Sequence, residues 1–161
     1  MTTAIYPGRF DPVTAGHLDI LQRASYLFEK VIMAVFEAPQ KQTMFSTEER
    51  VRLIQEAAAG LSNVEVRSFS GLVVDYAQAQ NATAIVRGIR MHADFESEFE
   101  MALMNRKLAP NVDVVCLMTD GRYQFVRASL LKEVAMLGGD IRGLAPDNVI
   151  AALAERYGQQ R

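Results

Sequence analysis

Short, nearly unbroken apolar runs alternate along this chain with longer segments whose apolar residues recur every three or four positions. The short runs, Thr3–Tyr6, Val31–Phe36, Val64–Arg67, Thr83–Val86 and Asp113–Met118, predict strands. The longer segments, His17–Phe28, Thr47–Ala58, Gly71–Gln80, Ala93–Lys107, Ala128–Leu137 and Pro146–Tyr157, predict helices. Strands in regular alternation with helices predict an α/β fold: a doubly wound parallel sheet of about five strands, covered by helices on both faces. No repeat, low-complexity tract or linker interrupts the pattern, so residues 1–161 are expected to form one domain.

Several helix ends are marked in the sequence. Ser46-Thr47-Glu48-Glu49 has the form of a capping box, with Ser46 at the N-cap and Glu49 three positions on. Pro146 suits a first helical turn. Asp94, Glu96, Glu98 and Glu100 precede Arg106 and Lys107, which places acids at a helix start and bases at its end. Phe95, Phe99, Ala102 and Leu103 form the apolar stripe of that helix, expected to meet the core or another subunit. Met101 and Leu103 are open to either.

Composition narrows the class. Half of the 161 residues are apolar and 22% are charged, a globular balance. A chain of this length buries about two-thirds of its unfolded surface. A formal net charge of −2 gives no general pull toward nucleic acid or an anionic membrane, so neither is expected as a partner. No apolar run is long enough to span a bilayer and no signal-type segment opens the chain, so a cytoplasmic protein is expected. Cys116 is the only cysteine; within the apolar run Val112 to Met118 it is expected to be buried and inert.

The chemistry gathers where the strands end. Ligands of open α/β sheets bind beyond the carboxyl ends of the strands, near the point where strand order reverses. After the first strand comes Pro7 to His17, in which Gly16-His17 at a helix mouth offers backbone N–H groups, a positive dipole end and an imidazole to an anion. Lys41 follows the second strand, Arg87-Gly88-Ile89-Arg90 is read as the loop after the fourth, and Thr119 to Arg127 follows the fifth. Each of these alone has an ordinary explanation: a solvated lysine, a surface turn, a helix-start Ser129. Cations at several strand ends of a slightly acidic chain together point to a polyphosphate ligand. His92 has no expected role beyond a solvated loop or helix start.

The ordered set Tyr6-Pro7-Gly8, Phe10-Asp11-Pro12, Thr14-Ala15-Gly16-His17, Met44-Phe45 and Glu48-Glu49-Arg50 resembles bacterial phosphopantetheine adenylyltransferase. That family belongs to a nucleotidyltransferase superfamily marked by a Thr/His-x-Gly-His motif. Asn63-Val64-Glu65-Val66, Arg87-Gly88-Ile89-Arg90, Ala93-Asp94-Phe95-Glu96, Met104-Asn105-Arg106 and Leu131-Lys132-Glu133-Val134 extend the resemblance over nearly the whole chain. It implies a Rossmann-like fold and transfer of the adenylyl group of ATP to 4′-phosphopantetheine, giving dephospho-coenzyme A and pyrophosphate. It also implies Mg²⁺ held mainly by the ATP phosphates, with no direct protein ligand, feedback inhibition by coenzyme A, and a homohexamer. By the same resemblance His17, Lys41 and Arg90 would be catalytic. Arg9, Lys41, Val73 and Arg87 would bind the acceptor. ATP would meet Arg9, Phe10, His17, Gly88, Ile89, Arg90, Glu98, Tyr123, Gln124, Phe125, Val126, Arg127, Ala128 and Ser129.

Two places depart from the family pattern. Arg9 stands where the family carries Thr or Ser, and Val126-Arg127-Ala128-Ser129 keeps one hydroxyl of a run of serines. A guanidinium changes size and charge together. Three readings stay open on these residues: an adenylyltransferase whose arginines replace neutral phosphate contacts, a nucleotidyltransferase for another phosphate ester, and a non-catalytic nucleotide or coenzyme A binder.

Overall fold

Five parallel strands, β1 (Thr3–Gly8), β2 (Lys30–Phe36), β3 (Val64–Phe69), β4 (Ala84–Ile89) and β5 (Asp113–Met118), make one sheet in the order β3-β2-β1-β4-β5. The structure is a computed structural model and describes residues 1–39 and 42–158. Six helices connect and flank the strands: α1 (Ala15–Leu27), α2 (Thr47–Ala57), α3 (Val73–Ala79), α4 (His92–Leu108), α5 (Ala128–Met136) and α6 (Asp147–Gly158). The predicted α/β, doubly wound, Rossmann-like architecture is the observed one.

The apolar strand runs divide by period two between two cores, because successive strand side chains point to opposite faces. Ala4, Tyr6, Val31, Met33, Val35, Ala84 and Val86 join residues of α1, α2, α5 and α6 in one cluster. Ile5, Ile32, Ala34 and Ile85 face the other, with Val74 and Ala77 of α3. Burial on both faces is why these strands read as unbroken apolar runs rather than as alternating ones.

Strand order reverses between β1 and β4, and there the sheet opens. The register of this pair covers Ala4 with Ala84 and Ile5 with Ile85, while the β1–β2 register continues to Gly8. Pro7 has no N–H with which to extend a ladder, and its carbonyl instead accepts from Arg87 Nη1 at 3.1 Å. A crevice at the carboxyl ends of β1 and β4 results.

The expected helix ends are present. Ser46 Oγ accepts the Glu49 N–H at 3.1 Å and Glu49 Oε2 accepts the Ser46 N–H at 2.7 Å. Two expectations need correction and one that stood open is narrowed. Arg87, Gly88 and Ile89 belong to β4 rather than to a loop, because β5 pairs with this strand as far as Ile89 with Met118. Of the two partners expected for the α4 stripe, the core is not the one: Phe95, Phe99 and Leu103 are exposed and only Asn105 of α4 is buried, with Ala102, half-buried, the stripe's inward member. Cys116 is half-buried, since β5 is an edge strand. Burial and the Glu98 charge nonetheless push its thiol above the ordinary range, so it is no activated nucleophile.

Candidate active site

The first loop is built around one aromatic ring. Phe10, buried and at φ 49°, turns the chain back so that its ring covers Gly8. A Cβ on Gly8 would lie 2.8 Å from that ring, so any side chain here would have to push the ring aside. The ring packs edge-on to Tyr6 at 5.3 Å and to His17 at 5.0 Å between centroids. Asp11, also buried, accepts from Phe45 N and Met44 N at 2.9 Å and from Lys132 Nζ at 3.0 Å. The loop is thereby tied to the entrance of α2 and to α5.

Arg50 completes the support from beneath. It is fully buried, and its guanidinium donates to Arg9 O at 2.7 Å, Phe36 O at 2.9 Å, Phe45 O at 3.2 Å and Thr47 Oγ1 at 3.0 Å. One side chain thus joins the end of β2, the first loop and the start of α2.

His17 occupies the third position of α1. Thr14 Oγ1 accepts the His17 N–H at 3.3 Å, while His17 Nδ1 accepts the Thr14 N–H at 3.0 Å. An acceptor at Nδ1 puts the proton of the neutral ring on Nε2. Burial, with the charges of Arg90 and Arg87 adding to it, lowers the His17 pKa to about 4. The ring is therefore a neutral Nε2–H donor at physiological pH. The Ala15 N–H donates to Leu144 O at 2.9 Å. Among the described residues, Gly16 N–H is the unengaged donor of this first turn, and Gly16 lines the cavity.

Two adjoining cavities meet at the crevice. The first, about 520 Å³, is mixed in polarity but rich in cations, lined by His17, Arg9, Arg87, Arg90, Arg127 and Lys132, together with Gly88, Phe10, Val126, Ala128 and Ser129. The second, about 530 Å³, is largely apolar and bounded by Leu72, Val73, Val74, Met101, Ala102 and Asn105. Pro7, Gly8, Arg9, Arg87 and Glu98 line both. The arrangement offers cations to a polyphosphate on one side and an apolar slot to a flexible chain on the other.

Most of the expected site residues are brought together here, and some are not. Arg90 bonds Val126 O at 3.0 Å and lies 3.6 Å from Asp94, whose carboxylate caps α4. Glu98, expected at the adenine, grips Arg87 with two bonds of 2.7 and 2.9 Å. Burial opposes the charge on Arg87, but this partner outweighs it and keeps the guanidinium firmly protonated. Arg9 reaches only Gln42, at 3.4 Å. Ile89, the last residue of β4, is buried and its carbonyl is taken by the Thr119 N–H at 2.8 Å. Tyr123, Gln124 and Phe125 lie off the cavity lining: a short 3₁₀ turn, Gly121–Tyr123, carries them past it, and Tyr123 packs beside Gly16. Lys41 lies outside the described residues. His92 is exposed at the start of α4, as expected.

Sequence reasoning assigned no role to Asp11, Arg50 or Lys132, whereas Asp94 stands at the start of α4 as its acidic position suggested. Asp11, Arg50 and Lys132 stood inside quoted motifs, but nothing local distinguishes a buried charge from a solvated one.

A mononucleotide-type crevice with a neutral histidine and a ring of cations defines a nucleotidyltransferase, and residues 5–134 match the Cytidylyltransferase-like family. A solved bifunctional NMN adenylyltransferase/ADP ribose pyrophosphatase from Francisella tularensis shares the fold, with a TM-score of 0.71 at 18% identity over 96% of this chain and 50% of that one. Closer relatives specify the family. The phosphopantetheine adenylyltransferase of Roseiflexus sp. (strain RS-1) is 51% identical over 160 residues, covering 99% of this chain and 100% of its own length. That of Thermomicrobium roseum is 53% identical over 157 residues, covering 96% and 94%. The chain belongs to the phosphopantetheine adenylyltransferases.

Proposed function

We propose that the two joined cavities bind ATP and 4′-phosphopantetheine side by side. The reaction is transfer of the adenylyl group of ATP to the phosphate of 4′-phosphopantetheine, giving dephospho-coenzyme A and pyrophosphate. The single observation that carries the residue roles is the junction itself, where Arg9 and Arg87 border both the cationic and the apolar cavity.

The acceptor phosphate is already an anionic nucleophile, so no protein nucleophile or strong base is needed. Attack is in line at the α-phosphorus; the new P–O bond forms as the bond to pyrophosphate breaks. The obstacle is repulsion between anions and charge growth on the α-phosphate, which positioned donors and cations relieve. The His17 Nε2–H stabilises that growing charge, with Gly16 N–H beside it. Arg87, Arg9 and Lys41 hold the acceptor phosphate, Arg90 and Arg127 the nucleotide phosphates, and Val73 borders the pantetheine arm.

Mg²⁺ fits this site as part of the nucleotide and supplies charge neutralisation on the ATP phosphates. The cavity carboxylates Asp11, Asp94 and Glu98 are each engaged by cations or backbone N–H groups. Among the described residues no cluster of three His, Cys, Asp or Glu could hold a metal.

The same reading includes coenzyme A as a feedback inhibitor, a homohexamer, one catalytic domain and a cytoplasmic location. The exposed Phe95, Phe99, Leu103, Met104 and Leu108 of α4 support self-association, and sedimentation measures it. Among the described residues no helix is long and apolar enough to cross a membrane.

The deciding experiment incubates the protein with ATP, Mg²⁺ and 4′-phosphopantetheine and follows pyrophosphate and dephospho-coenzyme A. Product that disappears in His17→Ala is the expected result. Pyrophosphate only with another phosphate ester, or nucleotide binding with no turnover, would replace this reading.

A further inference from the structure

Arg87 borders both cavities, yet the Nε–Nη2 edge of its guanidinium is already filled. Glu98 Oε2 and Oε1 accept from Nε at 2.9 Å and from Nη2 at 2.7 Å, and Pro7 O accepts from Nη1 at 3.1 Å. Glu98 is the more enclosed partner, with 15% of its side chain exposed against 36% for Arg87. A bidentate carboxylate on a half-enclosed guanidinium is a strong, directional pair. An anion arriving at Arg87 thus meets a competitor as well as a cation.

We infer that Glu98 is a specificity-determining counter-ion: its carboxylate is the resting occupant of Arg87, and the acceptor's dianionic phosphate binds by displacing it. The inference rests on the acceptor site proposed above. A single negative charge matches the carboxylate it would have to replace and gains little by the exchange. A phosphomonoester carries up to two charges and three acceptor oxygens, and Arg9 at the same junction adds attraction that no carboxylate on the described residues neutralises. Glu98 therefore sets a charge threshold on the acceptor, while the apolar cavity reads the rest of it.

Calorimetric titration without nucleotide tests this, with 4′-phosphopantetheine, pantetheine and pantetheine 4′-sulfate as probes. Glu98→Gln should bind 4′-phosphopantetheine about tenfold more tightly than wild type, because a nearby like charge and a competitor are both removed. Pantetheine should bind both proteins equally. The monoanionic sulfate should bind wild type no better than pantetheine and gain in Glu98→Gln. Glu98→Ala should change affinity in the same direction, and on an Arg87→Gln background the gain should vanish. If Glu98→Gln leaves phosphate affinity unchanged or weakens it, Glu98 orients Arg87 instead of competing for it, and the inference falls. Equal binding of sulfate and phosphate esters by wild type removes the threshold. Wild-type protein that binds no 4′-phosphopantetheine overturns the acceptor reading itself, which separates the two failures.

Discussion

The backbone N–H of Thr14 donates to His17 Nδ1 at 3.0 Å, and this one bond decides which nitrogen of the ring is left to donate. The proton of the neutral imidazole is confined to Nε2. Burial first, and then Arg90 and Arg87, lower the pKa to about 4, so the ring donates without being an acid. Nitrogen NMR of the imidazole should show the neutral Nε2–H form from pH 8 down to about 5.5. A protonated ring at pH 6 would contradict the assignment.

The same shift has a sign for stability. The unfolded histidine takes up its proton near 6.5 and the folded one near 4, so between these values the unfolded state binds more protons. The contribution of His17 is complete above pH 6.5 and is lost as pH falls toward 4. His17→Gln should lose less Tm than wild type over that window. Its kcat should fall by about 10²–10³, the scale of a lost preorganised donor.

Arg9 couples to the fold through its carbonyl, held by Arg50 at 2.7 Å, and hardly at all through its side chain. Arg9→Thr should leave Tm within about 2 °C, as for a surface change. It should raise the KM for 4′-phosphopantetheine about tenfold, the loss of one charge-assisted contact. Unfolding of this variant would make Arg9 a structural residue.

Arg50 predicts the opposite pattern. Arg50→Met leaves Arg9 O, Phe36 O, Phe45 O and Thr47 Oγ1 without this partner in a buried place. A loss of at least about 3 kcal/mol in urea unfolding is expected. Arg50→Lys should recover only part of it, because an ammonium cannot reproduce the planar fork.

Gly8→Ala tests the aromatic packing. The new methyl would meet the Phe10 ring at 2.8 Å and push it against His17. Overpacking of this kind costs about 1–3 kcal/mol. Displacement of the imidazole should lower kcat by about tenfold to a hundredfold, with the KM for ATP changing less.

Local features were legible in order along the chain. The capping box at Ser46, the strand runs and the Gly16-His17 helix mouth each depend on residues a few positions apart. Arg87-Gly88-Ile89 read as a loop because a glycine between Arg87 and Arg90 marks a turn locally, whereas β5 alongside keeps the segment extended. The stripe of α4 read equally as core or as contact surface, since an apolar face states only that something covers it. Tyr123 to Phe125 followed the family's motif but lie off the cavity, because motif order carries no information about which side of a turn faces inward.

Sequence alone determined the alternation of strands and helices, the family, and the helix mouth at Gly16-His17 in the first loop, all of which rest on short-range pattern. Only the tertiary structure decided that β1 lies beside β4, which brings Pro7 and Arg87 to 3.1 Å across 80 positions of chain. It also decided that Glu98 closes on Arg87, that Arg50 is buried with carbonyls for partners, and that His17 stays neutral. Burial and charge proximity come from packing between distant segments, and no local spacing encodes them. Arg9 shows the division within a single residue: the chain marked it as the departure from its family, and the fold placed it where the two cavities meet.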